Sequence, residues 1–385
     1  MKPVWIWIIL ALVAVGLVWG LKTQQQASIR SEYPATLASR KGPYLLYPGE
    51  NTQMMVLWQL ETTAPCTLEW GIDATYTAGH EVTSEINSDH QHCHTITGLE
   101  PNTTYFYRVA AGETSYAGTF RAAPLEGETS VSFLVHSDTQ TYPLLHDGVC
   151  GAMLSIIRTD PTYQTFVLHA GDWVEDGDRE ADWDQQFFCR ACSSTRELQA
   201  AVPILGCMGN HDGSGELFSK YWPYPFVADH YWSFDYGPVH IAIVDQYADY
   251  RPGSAQYEWL KQDLRESARP WKLVLLHEPG WSAGHHPNNV AVQEYLQPLF
   301  EAYDVAMVCA GHNHYYARCE MNGVWYITTG GGGAPLYSPD PNQPAYVVTA
   351  INRRHFCAVE IQGDRLTLNA VGEDGAILDT FSINR

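Results

Sequence analysis

The stretch Val202-Pro203-Ile204-Leu205-Gly206-Cys207-Met208-Gly209-Asn210-His211-Asp212 joins a short apolar run to three polar side chains. A bounded apolar run of this length predicts a buried strand. Gly209 predicts a sharp turn at its end. The turn presents an Asn carbonyl that can ligate a metal and a His that can ligate or donate a proton. It also presents an Asp that can orient the His by accepting from its second ring nitrogen. Alone, such a turn is commonplace, but four other predicted strand ends repeat it. Residues 131–136 lead to Asp138 and Gln140, and residues 165–170 to Gly171-Asp172. Residues 271–276 lead to His277, and residues 305–309 to Gly311-His312-Asn313-His314. In open α/β sheets, ligands gather beyond the carboxyl ends of the strands. Asp and His donors without a ligating Cys suit Zn, Mn or Fe. There are more donors than one tetrahedral ion needs, so the economical reading is two ions.

The segments around these strands alternate between β and helical patterns. Leu145, Val149, Met153, Ile156 and Ile157 keep helical spacing, and residues 256–267 place Trp259, Leu260 and Leu264 on one side. Val292, Leu296, Leu299 and Phe300 mark a third helix, while residues 347–383 return to β alternation. Residues 130–385 therefore predict one α/β domain with a β-rich end.

Upstream, residues 42–124 read as an all-β sandwich of short strands with frequent turns. His90, His92 and His94 alternate there and could share a strand face around a metal, but satisfied or solvated histidines are the reading adopted. Residues 23–41 are polar and aperiodic, a tether. Residues 3–21 are almost uninterruptedly apolar, with Trp5, Trp7 and Trp19 near the ends. The N-terminal segment 1–22 is expected to be a transmembrane signal anchor or a cleaved signal peptide, with the remaining chain exported either way.

The chain has 385 residues and a formal net charge of −21, which disfavours a nucleic-acid polymer as partner. It permits a small phosphorylated substrate, because bound ions reverse the local field. Nine cysteines in a long chain are not a disulfide scaffold. The pair Cys189 and Cys192 is expected to be a local disulfide or two ordinary thiols.

The ordered set Asp138-x-Gln140, Gly171-Asp172, Gly209-Asn210-His211-Asp212, His277 and Gly311-His312-x-His314 resembles the calcineurin-like metallophosphoesterase superfamily. The preceding β-module, with Leu99-Glu100-Pro101-Asn102-Thr103-Thr104-Tyr105-x-Tyr107-Arg108-Val109, resembles a fibronectin type III module, and such a module followed by this domain looks like the purple acid phosphatase-like branch. The resemblance implies a fold of two packed mixed β-sheets flanked by helices. It implies that Asp172 bridges two ions, that Asp138 and His314 hold one, and that Asn210, His277 and His312 hold the other. It leaves His211 free to contact the phosphoryl group or protonate the leaving oxygen, with Asp212 orienting it, and it makes His285 and His286 candidates to face substrate.

Two positions depart from the pattern. Gln140 stands where many relatives have His, and Glu175 stands where purple acid phosphatases have the tyrosine that binds ferric iron and gives the colour. Gln140 is expected to ligate through its carbonyl or to bond a metal-bound water. Glu175 is expected either to add a ligand or to sit just behind the ligands.

The expected function is hydrolysis of a phosphate ester outside the cytoplasm, with two ions of Fe, Zn or Mn activating a water and His211 assisting the leaving group. The rival readings are a nucleotide phosphodiesterase on the same site and a membrane-tethered binding protein with a vestigial one.

Overall fold

Seven strands precede the α/β pattern: β1 (Ser39–Leu46), β2 (Met54–Leu60), β3 (Cys66–Gly71), β4 (Gly79–Thr83), β5 (Gln91–Ile96), β6 (Thr104–Ala111) and β7 (Thr114–Arg121). They form two antiparallel sheets, ordered β1-β2-β5 and β4-β3-β6-β7. Strand β6 shows why: Tyr105, Tyr107, Val109 and Ala111 are buried while the residues between them are not, the period of two that a half-buried strand requires. The computed structural model describes residues 39–385, so the apolar run 3–21 and most of the tether lie outside the described residues. Among the described residues, no helix is long and apolar enough to cross a membrane.

The sandwich is not a separate bead. Strand β1 takes in Ser39, Arg40 and Lys41, which the sequence had assigned to the tether, because Lys41 is buried with its ammonium 2.8 Å from both Gln59 and Glu180. Tyr44, Leu46, Tyr47 and Leu57 belong to the same apolar core as the α/β domain. Tyr44 Oη donates to the Tyr221 carbonyl at 2.9 Å, and Tyr107 Oη to the Ala200 carbonyl at 2.8 Å. The three alternating histidines each have a local partner, although His92 Nε2 is buried without one among the described residues. His90 faces Glu85, His92 lies on Trp58 and bonds Thr83, and His94 lies on Trp70.

The α/β domain holds β8 (Ser130–His136), β9 (Val167–His169), β10 (Ile204–Gly206), β11 (Trp232–Tyr236), β12 (Val239–Ile243), β13 (Trp271–Leu275) and β14 (Val305–Ala310). It continues with β15 (Tyr316–Met321), β16 (Val324–Thr329), β17 (Val347–Ile351), β18 (His355–Gln362), β19 (Arg365–Gly372) and β20 (Ile377–Asn384). One mixed sheet runs β10-β9-β8-β18-β19-β20, and the other runs β11-β12-β13-β14-β16-β15-β17. Strand β13 is buried on both faces. Leu273 and Leu275 enter the core shared with Phe133, Val135 and Leu168 of the first sheet, while Val274 and Leu276 pack under Leu260, Leu264 and Leu296.

The helix Pro143–Thr159 appears as expected, but its buried face is Val149, Cys150, Met153, Leu154 and Ile157. Leu145 is 37% exposed. The third predicted helix divides into one π turn, Val292–Leu296, running into Gln297–Ala302. Cys189 and Cys192 close a disulfide, and the other cysteines are free thiols, all but Cys93 fully buried.

Candidate metal centre

The five strand ends meet. Asp138 follows β8, Asp172 follows β9, Asn210 follows β10, His277 follows β13, and His312 and His314 follow β14. Strands β8, β9 and β10 are parallel to one another, and β12, β13, β14 and β16 are parallel in the second sheet. Their carboxyl ends therefore gather these loops on one edge. The glycines of the motifs mark close approach. A Cβ at Gly209 would lie 2.2 Å from Asp172 Oδ1, and one at Gly311 would lie 2.4 Å from Asp138 Oδ2. Asp138, Asp172 and His312 sit at φ of 57°, 57° and 66°, a left-handed conformation costing on the order of 1 kcal/mol each.

Two carboxylates with almost no solvent are the unusual feature of this edge. Asp138 is 0% and Asp172 1% exposed, and the ion pairs of each among the described residues are with imidazole only. Donor atoms of Asp138, Asp172 and His314 all lie within 4.8 Å of one another. His277 Nε2 is 3.3 Å from Asp172 Oδ2 and 3.1 Å from Asn210 Oδ1, and His312 Nδ1 is 2.9 Å from the same Asn210 oxygen. The ring orientations are fixed from behind. His277 Nδ1 donates to the Ala170 carbonyl at 2.8 Å and His314 Nδ1 to the Pro335 carbonyl at 2.7 Å, which turns Nε2 of each toward the carboxylates. Gln140 Nε2 donates to Asp172 Oδ2 at 3.2 Å, while its Oε1 is buried with no partner.

Lone pairs thus converge with too few protons between them, and the donor set fits two ions of Zn, Mn or Fe. Without ions, burial disfavours charge on both His277 and Asp172, but their mutual attraction outweighs it: His277 is raised and Asp172 lowered. Burial and the His277 charge push His312 down to about 3, leaving it a neutral imidazole.

Behind the ligands, four side chains clamp the backbone of their loops. Asp212 accepts from the N–H groups of Asp172 and Trp173 at 2.9 Å each and of Gly209 at 2.6 Å. Gln186 Oε1 accepts from Thr141 N–H at 3.0 Å and Glu175 N–H at 2.8 Å. Gln246 Oε1 accepts from His277 and Glu278 N–H at 2.7 and 2.5 Å, and Asn313 Oδ1 from His286 N–H at 2.9 Å. Sequence reading found Asp212 but gave it the wrong partner. Its carboxyl is fully buried among backbone donors and does not orient His211. That role falls to Glu175, whose carbonyl accepts from His211 Nδ1 at 2.8 Å. The Glu175 carboxylate accepts from Thr141 Oγ1 at 2.5 Å and lies 3.9 Å from His211 Nδ1. Gln186 and Gln246 carried no signal, because nothing local marks a glutamine whose partners are backbone groups far along the chain.

His211 is half-buried, and its Nε2 has no hydrogen-bond partner among the described residues. Burial acts against its charged form, but Asp172 and Glu175 outweigh this and raise its pKa. Beside the candidate ligands, His286 lies over His312 with ring centroids 4.1 Å apart, and His285 stacks on Tyr337 at 3.6 Å. Both candidate substrate-facing histidines therefore stand at the rim. Tyr337, which sequence reading missed, stands between His285 and His314.

Residues 132–316 match the Calcineurin-like phosphoesterase family, and residues 41–122 match the Purple acid Phosphatase, N-terminal domain. Curated relatives include "Probable purple acid phosphatase 20" of Arabidopsis thaliana, 26% identical over 61% of this chain and 58% of its own length. A "Purple acid phosphatase" of Glycine max is 27% identical over 66% of this chain and 58% of its own length. The chain thus spans less than two thirds of the length of these relatives. Among solved structures, purple acid phosphatase PPD1 of yellow lupin (Lupinus luteus) matches with a TM-score of 0.73 and 20% identity over 90% of this chain and 75% of its own. A structure of PhoD matches at 0.68 and 14% identity over 91% and 92%. The order of the donor-bearing strand ends, the two-sheet fold and both family matches agree: the chain carries a calcineurin-like phosphoesterase domain over residues 132–316, with a purple acid phosphatase N-terminal domain over residues 41–122 ahead of it.

Proposed function

We propose that this chain is a dinuclear metal-dependent phosphoesterase acting on small phosphate esters outside the cytoplasm. The observation that carries the reading is the pair Asp138 and Asp172, buried carboxylates whose ion pairs among the described residues are with imidazoles and with no Lys or Arg. An uncompensated buried charge costs several kcal/mol, roughly, and a cation offsets it. Asp138, Asp172 and His314 would hold one ion, with Gln140 Oε1 at hand. Asp172, Asn210, His277 and His312 would hold the other. Bound ions supply charge stabilisation to a phosphoryl group and acidify a water.

The protein's own groups do the rest. His211, positioned by Glu175, presents Nε2 at the pocket mouth and can give a proton to the leaving oxygen. His285 and His286 bound the opposite side. A vestigial site in a binding protein is disfavoured, because every donor of the motif set is present and oriented. The Cys189–Cys192 disulfide supports an oxidising compartment, and the apolar run 3–21 supports export, either anchored or secreted.

The test is a screen of metal-stripped and metal-reconstituted protein against mono- and diesters, nucleotides included. Hydrolysis restored by Zn, Mn or Fe is the expected result. No hydrolysis of any ester after reconstitution to full occupancy would remove the reading.

A further inference from the structure

Tyr337 has both faces of its ring occupied. His314 lies against it with centroids 4.1 Å apart and planes 14° from parallel, and His285 lies against it at 3.6 Å and 19°. Two rings so nearly parallel at these distances would overlap if they shared a side, so they take opposite faces. The Tyr337 N–H also donates to the His314 carbonyl at 3.0 Å, tying the loop back over the ligand. A ring covered on both faces cannot serve as a stacking platform for substrate, which leaves its edge.

That edge carries a hydroxyl with no hydrogen-bond partner among the described residues. The ring that bears it lies against His314, whose Nε2 is 3.3 Å from Asp138 Oδ1, so the phenol stands beside the candidate metal centre. The other groups around that end of the pocket are acceptors or imidazoles. A phosphoryl group brings acceptor oxygens, and a neutral O–H adds a donor to the imidazole N–H groups of the rim without bringing a charge.

We propose that Tyr337 contacts substrate, its hydroxyl donating to a non-bridging phosphoryl oxygen at the Asp138–His314 end while its ring fixes His285 against the metal centre. This rests on the phosphoesterase reading. It adds a binding group to that site and assigns His285 a place set by stacking.

The test uses the metal-loaded full chain, with inorganic phosphate as probe. Tyr337→Phe keeps the stacked ring and removes only the hydroxyl. It should retain metal content and bind phosphate about tenfold more weakly by calorimetry, the scale of one hydrogen bond to a charged group. KM for a phosphate ester should rise by a similar factor with kcat little changed. Tyr337→Leu, which also removes the stack, should lower kcat as well. Equal phosphate affinity in wild type and Tyr337→Phe overturns the proposal whatever the hydrolysis rate. So does a visible charge-transfer band in the iron-loaded wild type that vanishes in Tyr337→Phe, since Tyr337 would then be a ligand. Phosphate binding that depends on Tyr337 in a protein that hydrolyses no ester supports the contact and sinks the hydrolytic reading alone.

Discussion

Asp212 holds Asp172 by its backbone, accepting the Asp172 N–H at 2.9 Å, with Trp173 and Gly209 on the remaining lone pairs. The carboxylate therefore serves Asp172, the proposed bridging ligand, and not the neighbouring His211. Burial and the Asp172 charge push its pKa up, and the backbone donors and the His277 charge oppose them. Asp212→Asn would turn an amide N–H₂ toward one of these donors. We expect a loss of about 1–3 kcal/mol in stability and a 10- to 100-fold loss in metal affinity, roughly. Denaturant unfolding and metal titration of one preparation check it. Unchanged metal affinity with reduced activity would restore Asp212 to a role on His211.

His211 should separate catalysis from metal binding. His211→Ala leaves every donor atom of the centre in place, so metal content should stay near normal while kcat/KM falls by about a hundredfold or more. The fall should be larger for an alkyl ester than for an activated aryl ester, which leaves without needing a proton. Loss of metal along with activity would make His211 a ligand.

These two residues also mark what was legible in sequence. The strand ends were readable because Gly-Asp, Gly-Asn-His-Asp and Gly-His-x-His place ligands directly after apolar runs, and the fold brought all of them together. Roles that depend on distant backbone were not readable. Asp212 is adjacent to His211 in the chain, yet its partners are N–H groups that only the β9 and β10 loops, once folded, bring near. Gly209 opens the expected turn, its carbonyl accepting from the Asp212 N–H at 3.2 Å, and it also leaves room for the Asp172 carboxylate, which the sequence did not show. Tyr337 lies in a loop whose wording carries no code, and only stacking on His314 reveals it.

Iron-loaded, oxidised protein should lack the strong visible band of an iron-tyrosinate. Glu175 occupies the tyrosine's place in the motif, and its carboxylate is engaged by Thr141. An absorption scan decides this, and a green-to-yellow band would mean that another tyrosine ligates.

The contact between the two domains should weaken at high pH. His240 is 5% exposed, and burial alone would lower its pKa. Asp235 and Asp263, each 2.8 Å from one of its ring nitrogens, overcome this and raise it to about 9. The Asp235 carbonyl also accepts from Tyr47 of the sandwich. A raised folded-state pKa adds stability that is complete below the unfolded value of about 6.5 and lost as pH climbs through about 9. We expect a decline of about 1–3 kcal/mol over that window, absent in His240→Gln. Unfolding measured across the same pH range would contradict this if the variant kept the full decline.

The central claim is that Asp172 joins two ions in one phosphoesterase centre. The most direct measurement is elemental analysis with phosphoesterase rate on the same samples of wild type and Asp172→Ala, each stripped and then titrated with Zn, Mn or Fe. The account predicts that wild type approaches two ions per chain as activity reaches its plateau, and that Asp172→Ala retains neither ion tightly and is inactive. One tightly held ion in Asp172→Ala, or full wild-type activity with a single ion bound, would contradict it.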